Sequence, residues 1–268
     1  KTFVATNETE AKKLAKKFYK KEVKLTRDLD VLDTWFSSGL WPFATLGWPK
    51  KNEYLSKFYP TTVLVTGFDI IFFWVARMIM FGMEFINKEP FKDIYVHALV
   101  RDEKGQKMSK SKGNVIDPLE LIEKYSADAL RFTLLSMASP GRDVKLSEDR
   151  VKGYRNFLNK LWNANNFLIQ NKCVFNIVKK PKNIKLNINK WIYAELLKTK
   201  NIVEKNIKTY RFDEAARNSY QFVWHSFCDW YLELSKTIFY SNNKQAIKEI
   251  REISGLVFKE ILVLMHPF

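Results

Sequence analysis

The chain has 268 residues, 46% hydrophobic and 15% aromatic, with a formal net charge of +16. That length suits roughly two domains with a sizeable buried core, and the excess of Lys and Arg points to a polyanionic partner, nucleic acid ahead of a membrane surface. The longest apolar run, 63–86, is interrupted by Asp69, Arg77 and Glu84, which argues against a membrane span; Cys173 and Cys228 stand far apart with no CxxC pair, which argues against a disulfide framework or a zinc site and fits a reducing cytosol.

Residues 1–24 read as a short strand, Thr2-Phe3-Val4-Ala5, then a basic helix capped by Thr6 or Asn7, with Leu14 and Phe18 on its apolar edge. Residues 28–42 mix carboxylates, small polar residues and the aromatics Trp35, Phe36 and Trp41 without a clean period. Such a segment suits a loop lining a site, and equally an irregular surface loop whose tryptophans pack for stability. Thr61-Thr62-Val63-Leu64-Val65-Thr66 is β-branched between Pro60 and Gly67 and reads as a buried strand. A helix over 69–85 and a second strand over 93–100 complete a strand–helix–strand unit, which implies a parallel sheet.

Ligands on parallel sheets bind beyond the carboxyl ends of the strands, and Gly67 and Asp69 fall at such an end. Gly67 lets backbone approach a ligand; Asp69 is suited to accept from ribose hydroxyls, or to cap the following helix. Ile70 and Trp74, four apart, share a helical face and suit an apolar pocket wall, although such pairs more often build core. His97, near the end of the second strand, is assigned no catalytic role.

The most informative stretch is 101–114, which carries five basic side chains and, between Gly105 and Gly113, the sequence Lys107-Met108-Ser109-Lys110-Ser111. A cationic, donor-rich loop suits a polyphosphate whose charge grows as a bond breaks, although lysine- and serine-rich loops are commonly just solvated. Beyond it Asp117-Pro118-Leu119-Glu120 reads as a helix start, and Ser126 begins a helix carrying Leu130, Leu134 and Met137 that Ser139-Pro140-Gly141 ends. From Ser147 the pattern is helical throughout: four helices with apolar stripes, a linker over 172–185 containing Pro181, Asp213 capping the third helix, and a turn at Asn242-Asn243. The aromatic stretch 222–231 reads as bundle core in preference to a base-stacking surface.

The loop followed by Gly113-Asn114-Val115-Ile116-Asp117-Pro118 closely resembles the signature loop of class I aminoacyl-tRNA synthetases. Segments 30–49, 65–80, 95–118, 136–163 and 210–236, and the closing Met265-His266-Pro267-Phe268, are similar to the valyl members of that family. Isoleucyl members carry Gln-His where this chain has Ile70-Ile71. The resemblance implies an α/β Rossmann-like catalytic half with a parallel sheet, followed by an all-α helical bundle. It places the C-terminal part of the catalytic domain at 1–104, the loop and a helical connecting region at 105–146, and an incomplete anticodon-binding domain at 147–268. It further implies activation of valine with ATP, accompanied by Mg2+, and transfer to tRNA(Val) in the cytoplasm by a monomer, with no membrane partner and no metal site within these residues.

By the same resemblance Lys107 and Lys110 are catalytic and hold the ATP phosphates as pyrophosphate leaves, with Met108, Ser109 and Ser111 completing the ATP-binding loop. Gly67 and Asp69 contact the adenosine ribose, and Trp35, Ile70 and Trp74 shape the valine pocket. Such a pocket sorts by size and rejects a hydroxyl isostere only about a hundredfold, so the family edits at a second site. The chain departs from the family pattern in having no His-x-Gly-His motif, and Ala98 stands where glycine is common. The resemblance puts the missing motif and the editing domain before Lys1, and more helix beyond Phe268. An isoleucyl enzyme and a non-catalytic tRNA-binding module are the alternatives. Residues 1–268 alone are expected to be inactive; measurable valine-dependent pyrophosphate exchange by the purified chain would overturn that.

Overall fold

A computed structural model of the chain describes residues 1–141, 143–175 and 183–268. Two compact units divide them: Lys1–Thr61 with Phe72–Pro90, and Thr62–Ile71 with Phe91–Phe268.

In the first unit α1 (Glu8–Tyr19) begins where the Asn7 side chain accepts the Glu10 N–H at 2.9 Å. The strand expected at 2–5 does not form. Phe3 instead packs edge-on against Phe18 and Tyr19 at 6.0 and 6.1 Å. The stretch expected as a loop forms two short helices, α2 (Thr34–Gly39) and α3 (Trp41–Ala44), because Asp33 accepts the Trp35 N–H and caps the first while Pro42 opens the second. α4 (Glu53–Phe58) is capped by Asn52. The unit packs around Phe43, which is fully buried with the rings of Trp48, Tyr59 and Phe85 at 5.3, 6.2 and 6.3 Å. The Tyr59 hydroxyl donates to the Lys88 carbonyl, and burial pushes its pKa up to about 12.

β1 (Thr61–Gly67) leads into a helical run over 68–86. The run is not uniform. A 3-10 turn, Phe68–Ile70, precedes α5 (Ala76–Phe81), which is flanked by the π segments Ile71–Val75 and Gly82–Ile86. β2 (Phe91–His97) pairs with β1. The Thr61 N–H donates to the Pro90 carbonyl at 2.9 Å where both strands begin, so the two run parallel as a strand–helix–strand connection requires.

The second strand stops three residues short of expectation. After His97, whose Nδ1 donates to the Ala98 carbonyl at 2.8 Å, the chain changes partner. β3 (Val100–Arg101) pairs in parallel with β4 (Val144–Lys145), Val100 opposite Val144 and Arg101 opposite Lys145. Between them lie α6 (Pro118–Tyr125), capped by Asp117 with Pro118 at its first position, and α7 (Ala127–Met137). Ser126 joins the two in a left-handed conformation at φ 85°, and its side chain accepts the Ala129 N–H.

The rest is a helical bundle of α8 (Glu148–Gln170), α9 (Asn187–Lys208), a run over 212–239, and α12 (Lys244–Met265). The run comprises α10 (Phe212–Gln221), an eleven-residue π segment Phe222–Leu232 and α11 (Glu233–Phe239). Phe157, Leu168, Ile192, Phe227, Ile250 and Phe258 fill the core at 1% exposure or less; of the aromatic stretch Phe222, Phe227 and Tyr231 are interior, while Trp230 is exposed. Tyr231, fully buried, donates to Asn189 Oδ1 at 2.8 Å, which satisfies both polar groups. Cys173 and Cys228 are buried thiols whose pKa burial pushes up to about 12, so they pack as apolar side chains. Asp213 does not cap its helix. Arg211 holds the cap position, and Asp213, one residue inside, accepts from Arg211 and from the Ser139 hydroxyl. Burial would raise its pKa; those bonds outweigh burial and hold it low. Of the linker expected over 172–185, residues 176–182 with Pro181 lie outside the described residues.

Gly255 shows how tightly α12 packs. A Cβ there would stand 2.1 Å from the Val174 carbonyl oxygen. Gly255→Ala is expected to destabilise the bundle by about 1–3 kcal/mol, the usual range for overpacking. Urea unfolding followed by circular dichroism checks this; an unchanged midpoint would refute the packing.

Candidate active site

Gly67 ends β1, and the reason for glycine is local. A Cβ at this position would lie 2.6 Å from Asp69 Oδ1 and 3.7 Å from His97 Cε1. The missing side chain lets the Asp69 carboxylate turn back over the strand end, where β2 also finishes. Asp69 is exposed and caps nothing: Gly67 is at the cap position of the following 3-10 turn, without a side-chain bond. An exposed carboxylate thus stands at the carboxyl end of β1, and the His97 ring, given no role from sequence, also borders the space that a Gly67 side chain would fill.

Two residues, Ala98 and Leu99, separate His97 from β3, and the cationic loop starts where β3 ends. β3 is held on both sides. On one, Val144 N–H donates to the Leu99 carbonyl at 2.9 Å and Leu146 N–H to the Arg101 carbonyl at 3.0 Å. On the other, Arg101 bridges antiparallel to Lys107. The turn between has Gly105 at φ 79°, a left-handed position that suits glycine, closed by Gly105 N–H to the Asp102 carbonyl at 2.9 Å. The Arg101 side chain pairs with Asp143.

Lys107, Lys110 and Lys112 are exposed, while Met108 and Ser109 are half-buried. The loop closes as a 3-10 turn, Lys110–Lys112, ending at Gly113 with φ 64°. The hydroxyls of Ser109 and Ser111 lie 3.2 Å apart. Two residues that sequence reasoning passed over hold this backbone. Asn114 accepts the Ser109 N–H at 3.0 Å and donates to Asp102 Oδ2 at 2.9 Å; Asp102 Oδ1 accepts the Gln106 N–H at 2.7 Å. The Asn114 amide, then the Gln106 N–H, draw the Asp102 pKa below its ordinary value. An amide residue just after a glycine-ended loop was the available signal.

Among the expected pocket residues, Trp35 and Trp74 both lie in the first unit, on segments that contact each other. Trp74 Nε1 donates at 3.1 Å to the Ser38 carbonyl of α2, the helix that carries Trp35, and Trp35 stacks on Phe73 at 5.8 Å. Ile70 belongs to the second unit. Chemically, the second unit thus presents an exposed carboxylate just past the end of β1 and exposed ammonium groups on the braced loop that follows β3. Such a pairing accepts hydroxyl donors at one point and polyanions at another.

A family model for tRNA synthetases class I (I, L, M and V) matches residues 2–147, and one for the anticodon-binding domain of tRNA ligase matches 189–268. The chain is 76% identical over all 268 residues to a valine–tRNA ligase of Pelagibacter ubique, of which it spans 31%, and 57% identical over 266 residues, 99% of its length, to that of Bartonella quintana, of which it spans 29%. It thus spans about a third of these relatives. Among solved structures it superposes with TM-score 0.69 on Agrobacterium radiobacter K84 LeuRS in a ternary complex with tRNA and LeuAMS, at 19% identity over 91% of this chain and 31% of that one. The Mycobacterium tuberculosis methionyl-tRNA synthetase bound by methionyl-adenylate gives 0.67 at 21% identity, over 83% and 45%. Both likenesses concern the fold.

The lowered Asp102 pKa fixes the sign of its pH dependence. Its bracing is complete above the unfolded carboxylate value and is lost as pH falls through the lower folded one. Amide exchange at Gln106 and Ser109, corrected for intrinsic rate, should stay slow down through the ordinary Asp range near pH 3.9 and rise only in stronger acid. A rise that begins above about pH 5 would contradict this.

Proposed function

Because the chain belongs to the class I tRNA synthetases of the isoleucine, leucine, methionine and valine group, we propose that it is the phosphate-contacting and tRNA-binding part of a valine–tRNA ligase. The observation that carries this reading is the braced loop Lys107-Met108-Ser109-Lys110-Ser111, its lysines exposed, in a chain 76% identical throughout to a valine–tRNA ligase.

In the reaction the valine carboxylate attacks the α-phosphate of ATP, the bond to the β-phosphate breaks, and pyrophosphate leaves with the charge that develops. The valyl group then passes from the adenylate to the terminal ribose of tRNA(Val). No covalent enzyme intermediate is needed, so the protein's work is placement and charge stabilisation. Lys107 and Lys110 meet the leaving phosphates, where an ammonium is worth most because the charge grows during the step. Met108, Ser109 and Ser111 shape the loop. Gly67 admits the ribose and Asp69 accepts from its hydroxyls, as the exposed carboxylate at the strand end supports. Trp35 and Trp74 wall the valine side chain, and Ile70 keeps the role that the resemblance gives it. Mg2+ enters with ATP as part of the substrate. The bundle, with most of its core apolar and lysines outside, takes the tRNA, and the boundaries 1–104, 105–146 and 147–268 divide these tasks. The protein acts as a monomer in the cytoplasm.

The test is ATP–pyrophosphate exchange by a full-length protein carrying this chain, with valine and isoleucine compared. Valine is expected to drive exchange, and Lys110→Ala to lower kcat about a hundredfold or more, the scale of losing a charge-stabilising group. Exchange driven by isoleucine would keep the class and change the substrate. Absence of exchange with any amino acid, while tRNA still binds, would replace the reading with a non-catalytic module.

A further inference from the structure

Lysine ammonium groups ride on flexible four-carbon stems. What a protein controls firmly is the backbone from which they start. In this loop one side chain does most of that work. Asn114 uses its whole amide inside the loop: Oδ1 accepts the Ser109 N–H at 3.0 Å, and Nδ2 donates to Asp102 Oδ2 at 2.9 Å and to the Lys107 carbonyl at 3.3 Å. Asp102 in turn uses its other oxygen on the Gln106 N–H, across the turn that brings Arg101 back beside Lys107. The residues at either end of Lys107–Ser109 are therefore tied through one amide to one carboxylate.

We propose that Asn114 and Asp102 form a clip that sets where Lys107 and Lys110 stand during adenylate formation, and so act as positioning residues; this rests on the synthetase reading above. The chemistry is specific to these side chains. An amide supplies one acceptor face and two donors; a carboxylate of the same size supplies no donor and would face Asp102 with like charge. Asp102 must be a carboxylate for the converse reason, since an amide there would present donors to donors. The clip touches loop backbone and no hydrophobic core. Its loss should therefore misplace the lysines without loosening the fold.

The experiment uses a full-length protein carrying this chain, with Asn114→Ala, Asn114→Asp, Asp102→Asn and the double exchange Asp102→Asn/Asn114→Asp. Each is measured for valine-dependent pyrophosphate exchange, for transfer of valine from isolated valyl-adenylate to tRNA, and for thermal melting. Each single variant is expected to lose about tenfold to a hundredfold in exchange kcat, the scale of one charge-assisted hydrogen bond. KM for valine, transfer from the adenylate and melting should stay as in the wild type. The double exchange keeps the net charge, and the new amide at 102 can donate to the new carboxylate at 114, which still accepts from Ser109. It should recover about tenfold over Asn114→Asp, a coupling that only direct contact produces. Unchanged kcat in Asn114→Ala overturns the clip. So does a loss matched by lower melting or equal loss in transfer, and so does a double variant no better than either single. A wild type without exchange overturns the synthetase reading, and the clip with it.

Discussion

A ladder of only two residue pairs, Val100 with Val144 and Arg101 with Lys145, ties the cationic loop to the helical bundle. Everything the loop offers depends on it. Three exposed lysines within six residues repel one another and gain nothing from packing, so the stretch cannot fold on its own merits. It is held because β3 lies between β4 on one side and Lys107 on the other, and because β4 runs straight into Ser147, the cap of α8. Leu146 and Val151, both buried with Leu121, Ala129 and Leu130, anchor that junction in apolar contact. The hydrophobic effect thus reaches a mostly polar loop through two backbone pairings.

The bracing also explains how polar chemistry survives in so exposed a place. Surface ion pairs contribute little on their own. Here the constraint comes from hydrogen bonds between side-chain amide, carboxylate and main chain, all closed within residues 102–114. The strand end at Gly67 follows the same economy: a missing Cβ, not an added interaction, leaves room for the Asp69 carboxylate.

Much of this was legible in the sequence because the relevant signals are local. The caps at Asn7, Asp117, Ser126 and Ser147 act within three residues of themselves, and the loop motif is contiguous. What could not be read depends on distant partners. Thr2-Phe3-Val4-Ala5 has strand-forming residues but pairs with no strand among the described residues. The second strand looked continuous to Val100 because side-chain pattern does not record a change of hydrogen-bond partner at residues 98–99. Asp213 has the composition of a cap but is claimed by Arg211 and Ser139, 74 residues away in the latter case. Asn114 carries little local signal of its role, because its three partners come together only once the loop is closed.

The π segment Phe222–Leu232 shows the same limit from another side. Its buried residues include Phe222, Phe227 and Leu232, and Val223 and Cys228, each five apart, as bonds from i to i+5 demand. A helix wound this way holds more chain per turn than its neighbours α10 and α11. The length of the stretch is thereby fixed in a way that its composition is not. Exchanges of one apolar residue for another of similar volume leave that winding intact. Loss of a single residue would rewind the turn and swing α11 about its axis, taking Ser235 and Phe239 off the core side. In this segment the lineage is free to edit letters and bound to keep their count.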